Sequence, residues 1–469
     1  MTTQQFPFIT DGIRGDVPIN FYPAADSERG VILFGTSGLL SHCQLTDCTE
    51  VRGLTKFGAY LYAVAKRGGQ SVVWRVDSGG GFSEIGSFAT SSAGPVWMTN
   101  NATQLLIVDG VTGYVYDPSG GGVVLIADAD FPGASSADYQ DGYGLFSEPA
   151  SNQWFFSDQF DFTAFDPLDF YTKESRPDNI VSLISHMREI FIFGETATEV
   201  WYNAGGDNSS VYNPTFKQNT GGLIAYGCGA AASPSTFDGE AVIWLSDKGQ
   251  IIQAVGYAGK IVSNQMFSRA IKGFTSFSNA IAFSYRDEGH IFYQITFPSA
   301  NQTWVLDGTT QMWFKKTSYK DDLSGYGRHR ANCYARLGNQ HYVGDYSNGR
   351  IYKMSTNYYD DNGEEIQRIL YSKEMETGMR KMSFPSVQIV VESGVGTIGG
   401  IDPQIMLQFS GDGGHTWSNE AWRSAGLIGE YGRRAIWHRQ GSGFRRMYRA
   451  TFTDPVLWRV LAVDIEDPV

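Results

Sequence analysis

One pattern of apolar and polar positions keeps returning along the chain. A short apolar or aromatic run is followed by a Gly, Asp or Asn turn and then by a second run ending in aromatics. Leu61-Tyr62-Ala63-Val64-Ala65 turns at Gly68-Gly69 into Val72-Val73-Trp74-Arg75-Val76. Leu105-Leu106-Ile107-Val108 turns at Asp109-Gly110 into Tyr114-Val115-Tyr116, and Gly142-Tyr143-Gly144-Leu145-Phe146 precedes Trp154-Phe155-Phe156. Glu189-Ile190-Phe191-Ile192-Phe193 turns at Gly194 into Glu199-Val200-Trp201-Tyr202, and Ala241-Val242-Ile243-Trp244-Leu245 turns at Asp247-Lys248-Gly249 into Ile251-Ile252. His290-Ile291-Phe292-Tyr293-Gln294-Ile295 pairs with Thr303-Trp304-Val305-Leu306, and Gln340-His341-Tyr342-Val343 turns at Asn348-Gly349 into Arg350-Ile351-Tyr352. Asp-Gly and Asn-Gly between such runs mark hairpins, because the primed turns need positive φ.

The units recur every ~40–50 residues, the length of a four-stranded propeller blade. One blade cannot bury both its faces, so the units must stack around an axis. The fold expected is all-β: a β-propeller of six or seven blades, then a smaller C-terminal β-sandwich-like domain. Unrelated hairpins packed as sandwiches are the weaker alternative. After Met354 the rhythm breaks into a polar connector containing Tyr358-Tyr359-Asp360-Asp361-Asn362-Gly363. Strands are then expected over 384–392, 404–410 and 447–452, with 458–465 as an edge or closing strand. The division expected is 1–50 as an extended segment that closes the propeller or contacts a partner, 51–360 as the propeller and 361–469 as the C-terminal β-domain.

Composition agrees with many short strands and tight turns. Aromatics make up 14% and charged residues only 18% of the 469 residues, and glycine is 55 of them. This excludes a coiled coil, a disordered tail protein and a basic nucleic-acid-coating protein. Lys plus Arg is 36 against 49 for Asp plus Glu, a net charge of −13 that disfavours tight non-specific binding to phosphate backbones. The charge is uneven: Arg423 to Arg459 holds eight arginines against Glu430 and Asp454, a local +6 that leaves −19 on the remainder. Cys43, Cys48, Cys228 and Cys333 lack zinc spacing and read as reduced thiols. The N-terminus has no visible secretory signal, and apolar runs such as Val123-Val124-Leu125-Ile126 are strand-sized, so a soluble chain is expected.

The sharpest local motif is Ser410-Gly411-Asp412-Gly413-Gly414-His415-Thr416-Trp417, an Asp box of the form S-x-D-x-G-x-T-W. Ser410 and Asp412 suit the loop amides, the glycines (Gly414 among them) permit positive φ, and Trp417 suits a lid. That describes a loop shape, and a structural role is expected. The acids of 158–169, interleaved with Phe160, Phe162, Phe165 and Phe170, suggest a sugar cleft with paired carboxylates. A long inter-blade loop packing its Phe side chains is the favoured reading. The seven histidines form no metal pattern, and no nucleophile elbow, Walker loop or dinucleotide fingerprint appears. No catalytic, cofactor or metal residue is therefore assigned, and the chain is not expected to be an enzyme. Arg433, Arg434, Arg439, Arg445, Arg446 and Arg449 are the candidate interface, since guanidinium forks suit partner carboxylates as well as phosphates. The alternative function is a carbohydrate-active propeller, either a glycosidase or a receptor-binding lectin.

Several landmarks then resemble a known family. They are Asn20-Phe21-Tyr22-Pro23, Gly53-Leu54-Thr55, Glu174-Ser175-Arg176-Pro177-Asp178-Asn179-Ile180 with Phe191-Ile192-Phe193-Gly194, and Trp437-x-Arg439-x-Gly441 leading to Arg445-Arg446. In this order they resemble the packaged-DNA stabilisation proteins of short-tailed bacteriophages, also called tail hub or nozzle proteins. The resemblance implies a structural virion protein, assembled in the host bacterial cytoplasm, that forms a hexameric ring below the portal and its adaptor. It implies a plug or needle protein and a tailspike or tail fibre as further partners. It also implies DNA passing without sequence-specific binding, no membrane span, and no catalytic residues or cofactors.

Overall fold

The computed structural model describes residues 3–5, 17–26, 30–209, 212–239, 241–320, 325–376, 378–395, 400 and 402–466. Seven antiparallel sheets of four or five strands succeed one another from residue 50 to residue 355. Blade 1 is Glu50–Phe57, Tyr60–Arg67, Gln70–Val76 and Phe82–Ala89, ordered from the axis outward. Blades 2 to 6 begin at Trp97–Asn100, Ser136–Gln140, Ile180–His186, Ser235–Phe237 and Ile281–Asp287. Blade 7 comprises Ala331–Leu337, Gln340–Asp345 and Arg350–Ser355, and its outermost strand is Gly38–Gln44 from the other end of the chain. That pairing closes the wheel, so the count of six or seven resolves to seven.

The core explains the continuous apolar runs. Seven apolar clusters lie one between each pair of neighbouring blades. In Tyr60–Arg67, Leu61, Ala63 and Ala65 face blade 7, while Tyr62 and Val64 face blade 2. A middle strand buried on both faces has no polar side to display, as in sheets covered on both sides. The hairpins legible in the sequence are thus the second and third strands of each blade. The strands nearest the axis come just before them and are more polar.

The C-terminal domain is two sheets enclosing one core that includes Phe384, Ile405, Trp437, Tyr448, Phe452 and Trp458. One sheet is Phe21–Asp26, Gly30–Gly35, Arg459–Glu466, Ser386–Val391 and Ala435–His438 in that order, with Thr3–Gln5 also on Arg459–Glu466. The other is Arg368–Tyr371, Arg445–Phe452, Gln404–Ser410 and Ala421–Ser424. Two expectations need correction. The last strand is central rather than an edge or closing strand, because N-terminal strands supply its far-side partner. The N-terminal segment divides its duties: 21–35 builds the sandwich and only 38–44 closes the propeller.

The junction is stitched by a few residues. Tyr22 packs between blades 6 and 7 while Phe21, pointing the other way, enters the sandwich core. Ile19 bridges Lys315 of the propeller and Ile369 of the sandwich. Asn20 is buried with φ 55°, and its amide donates to Thr317 O (3.1 Å), Thr317 Oγ1 (2.9 Å) and Gln367 O (2.7 Å) while its Oδ1 accepts from Thr317 N (2.9 Å). The connector lies on the closing strand: Gly38 N and Leu39 N donate to Tyr358 O and Asp360 O at 3.0 and 2.9 Å. Gly38 is required there, since a Cβ would stand 2.4 Å from Asp360 O.

Candidate assembly surfaces and the axial cavity

A propeller's usual binding place is the space at its axis. Here a cavity of about 280 Å³ is lined by residues of six blades and of the loop leading into blade 5, among them Arg52, Met98, Asp138, Ser182, Phe283 and Asn332. A second hollow of about 300 Å³ adjoins it at one mouth, where Glu50, Asn279 and Arg328 contribute polar groups. Burial pushes the Asp138 carboxyl up to about 6, against hydrogen bonds from Ser185 N (2.7 Å) and Tyr139 N (2.8 Å) that favour the charged form. Burial likewise raises Glu50 above the usual carboxylate range. Among the described residues no group of His, Cys, Asp and Glu could hold a metal ion, all four cysteines are free thiols, and no helix is long and apolar enough to cross a membrane.

The acids of 158–169 sit in a loop within blade 3, between its third and fourth strands, rather than between blades as expected. Phe162 and Phe165 are buried in the cluster shared by blades 2 and 3. Asp161 accepts from Thr163 N (2.9 Å), Thr163 Oγ1 (2.7 Å) and Gln104 Nε2 (3.2 Å); Asp166 caps Leu168 N (2.9 Å); Asp169 takes Asn208 Nδ2 (2.9 Å). Each of these three carboxylates holds its own stretch of loop.

The Glu174–Pro177 landmark is an exposed tip on buried supports, between blades 3 and 4. Lys173, fully buried, donates through Nζ to Asp178 Oδ1 and to Arg176 O (2.6 Å). Asp178 Oδ2 in turn accepts from Thr196 N (2.6 Å), and buried Glu199 accepts from Ser175 N (2.8 Å). Lys173 and the hydroxyl donor of Thr196 hold the Asp178 carboxyl below its ordinary value despite burial.

In the Asp-box loop, Ser410 Oγ donates to Asp412 Oδ1 (2.7 Å) and accepts from Gly414 N (2.9 Å). Asp412 also accepts from Thr416 N (2.9 Å) and Thr416 Oγ1 (2.6 Å), and with Ser410 these bonds hold its carboxyl well below the usual range. Gly413 and Gly414 have φ of 75° and 92°. Trp417 is half-buried, with the Arg449 guanidinium 4.5 Å from its ring centroid.

The six candidate interface arginines do not form one patch. Alternation along Arg445–Phe452 puts Arg445 and Arg449 on one face and Arg446 on the other. Arg445 pairs with Glu376 (3.3 Å) and Glu374 (3.8 Å), and Arg449 donates twice to Gln408 Oε1 (3.0 and 2.6 Å). Arg433, Arg434 and Arg439 are exposed around Ala435–His438, on the opposite sheet, with Arg434 bonded to Gln388. Arg446 is only 3% exposed and is no surface residue of the single chain, because its strand turns it inward beside Tyr448. Sequence reasoning passed over the exposed loop apolars Leu427, Ile428 and Tyr431, the last 76% exposed, beside Arg433 and Arg434. The available signal was three large apolar residues in a Gly-flanked stretch with no strand partner.

Comparison with known proteins gives two family matches in chain order. A family model described as "Bacteriophage P22 Gp10, beta-propeller" matches residues 15–359, and one described as "Bacteriophage P22 Gp10, beta-sandwich" matches residues 367–466. No curated protein matches. Among solved structures, the chain is similar to the N-terminal domain of Nup159 (7% identity, TM-score 0.44), covering 73% of this chain and 99% of that one. It is also similar to virginiamycin B lyase from Staphylococcus aureus (9% identity, TM-score 0.44, 68% and 98% covered). The WD40 propeller domain of Doa1 shows 11% identity and a TM-score of 0.41, with 68% and 97% covered. Nothing about this chain's activity follows from those three.

Proposed function

The chain belongs to the bacteriophage P22 Gp10 family, packaged-DNA stabilisation proteins of short-tailed phages, and on that premise we propose that it builds the ring continuing the DNA channel below the portal and adaptor. The observation that carries this is the pair of family matches, propeller then sandwich, running through nearly the whole chain. The protein is a phage structural protein. In our reading it works as a hexamer, holds the genome until ejection together with a plug or needle protein, offers a docking place to spikes or fibres, and performs no bond-making chemistry.

The axial cavity supports a channel made between copies. About 280 Å³ amounts to roughly nine waters at ~30 Å³ each, far too little for a duplex. DNA therefore passes outside the wheel axis, through a lumen that several wheels enclose. At −13 per copy, hence −78 for six, acids facing that lumen repel phosphates and suppress counterion-releasing contacts, so the genome slides. Retention is then mechanical, by narrowness or a plug. Head-to-side contacts repeated around a closed ring suit a basic sandwich tip against acidic blades. The tip in question carries Arg433 and Arg434 with Leu427, Ile428 and Tyr431.

Electron microscopy of the purified chain mixed with portal and adaptor tests this. A sixfold annulus added below the adaptor is the expected result. Chains that stay single and never join would overturn it, as would tight DNA binding by the free chain at physiological salt.

A further inference from the structure

Two opposite charges face the hollow at the mouth of the axial cavity, and neither has a close partner. Glu50 opens the innermost strand of blade 1, and Arg328 ends Gly325–Arg328, the strand that leads out of blade 6 toward blade 7. Both are half-buried. Arg328 is near enough to draw down the Glu50 carboxyl, yet no ion pair joins the two. Glu50 has one side-chain partner, Asn332 Nδ2 at 3.5 Å, and that amide is held more closely by Val51 O at 2.9 Å. Its cross-strand neighbour Lys66 makes no ion pair with it either. Arg52, the third cation beside it, spends its guanidinium on blade 1 and the loop after it. Burial pushes the Glu50 carboxyl up although Arg52, Lys66 and Arg328 draw it down, so its charge stays costly until a closer cation arrives.

Arg328 is set in place before anything binds. Its guanidinium carbon lies 3.5 Å from the ring centroid of Tyr346, and its backbone N donates to Asn301 Oδ1 at 3.0 Å. No side chain among the described residues hydrogen-bonds the guanidinium itself. A stacked fork with free donors is a preorganised receptor for a carboxylate. The hollow between the two charges measures about 300 Å³, and Pro95, Trp97, Ala232 and Ile281 line both it and the cavity of about 280 Å³ further along the axis. Small and apolar walls suit a short hydrocarbon chain running inward. A simple acid would bring its charge up to Glu50 unanswered, and a simple amine would do the same to Arg328. A zwitterion answers both.

We propose that the axial mouth of the wheel binds a free α-amino acid with an apolar side chain, its carboxylate on Arg328, its ammonium on Glu50 and its side chain toward Trp97 and Ile281. Bound there, it ties blade 1 to the strand entering blade 7 and stabilises the wheel by mass action. The site lies within one chain and stands whether or not copies form a ring.

Calorimetric titration of the full chain with leucine and with phenylalanine tests it. Each is compared with the analogue lacking its amine (isocaproate, hydrocinnamate) and the analogue lacking its carboxylate (isopentylamine, phenethylamine). At least one of the amino acids is expected to bind, a single ligand per chain, and to raise the melting temperature, with both its analogues roughly tenfold weaker or more. Glu50→Gln and Arg328→Met should each weaken it by a similar factor while the free chain melts nearly as in wild type, because both side chains are half-exposed. If Arg328→Met fails to fold, Glu50→Gln decides on the same readout. Binding that ignores both substitutions would place the ligand elsewhere and overturn the proposal. So would an analogue that binds as tightly as its parent, or no binding by either amino acid at millimolar concentration.

Discussion

Two buried arginines show how differently the wheel and the sandwich are finished. Arg52, on the innermost strand of blade 1, donates through Nε to Gly94 O (2.8 Å), Nη1 to Ser71 Oγ (2.7 Å) and Nη2 to Ser92 O (2.6 Å). All three nitrogens are answered within the chain. Arg446 leaves two of its three without a partner. At larger scale both regions leave large apolar side chains in solvent, Leu168 and Tyr212 in the wheel and Trp422, Tyr431 and Phe444 in the sandwich, while the blades are packed by apolar clusters on both sides. A closed ring of blades has no face left to bury. The wheel buries its blades against one another, and the sandwich buries a single core between its two sheets.

The largest effect should come from cutting the thread that the two regions share. Removing residues 1–44 takes the outer strand from blade 7 and three strands from the sandwich sheet. The expected outcome is loss of cooperative folding in both, seen by calorimetry as the absence of the wild-type transition. A sandwich that kept its own sharp transition would show the two regions to be independent and break the comparison.

A gentler cut is Asn20→Ala. It strands Thr317 N and two backbone carbonyls, and it puts alanine at a left-handed φ. A loss of about 3 kcal/mol is expected in denaturant unfolding. Separation of one transition into two would further locate the junction as the coupling element.

The connector supplies a pH test. Burial pushes the Asp361 carboxyl up to about 6, although Arg330, Lys316 and Arg368 draw it down and Ser318 Oγ donates to it at 2.7 Å. A carboxyl raised by folding binds its proton more tightly in the native state. Its contribution is therefore present below the unfolded value near 4 and is lost as pH rises through about 6. Asp361→Asn mimics the protonated form, so relative to wild type it should gain stability between pH 4.5 and 7.5, by at most about 3 kcal/mol. Urea midpoints of both proteins at the two pH values measure it. A variant that loses ground over that interval would mean that the three cations outweigh burial.

These residues also mark where the sequence could be read and where it could not. The middle strands of the blades are conspicuous because both faces are apolar, as in Ala241–Leu245. The strands at the axis are not: Trp97–Asn100 and Ser136–Gln140 interleave Thr, Asn, Ser, Asp and Gln with their apolar residues. Closure was hidden because Gly38–Gln44 finds its partner in Arg350–Ser355, some 300 residues away. The arginine run suggested one surface, yet strand alternation splits it, and the polarity that turns Arg446 inward is visible only as its place beside Tyr448, Ala450 and Phe452. By contrast, the loop at Ser410 is built from contacts between residues two to four apart, the range over which a sequence displays its own geometry.

That locality sets the smallest effect. Asp412→Ala removes the acceptor for Thr416 N and Thr416 Oγ1 and for the Ser410 hydroxyl, all inside one exposed hairpin loop. The arginine nearest the loop, Arg449, keeps its bonds to Gln408 and its place over Trp417, because neither depends on Asp412. Limited proteolysis should cut the variant faster between Gly411 and Thr416, while the melting of the whole chain and its self-association stay as in wild type. Because the carboxyl is held well below its usual value, the wild-type loop should resist cleavage down into acid that protonates ordinary aspartates. Weakened self-association in Asp412→Ala would instead place this loop in a contact between copies.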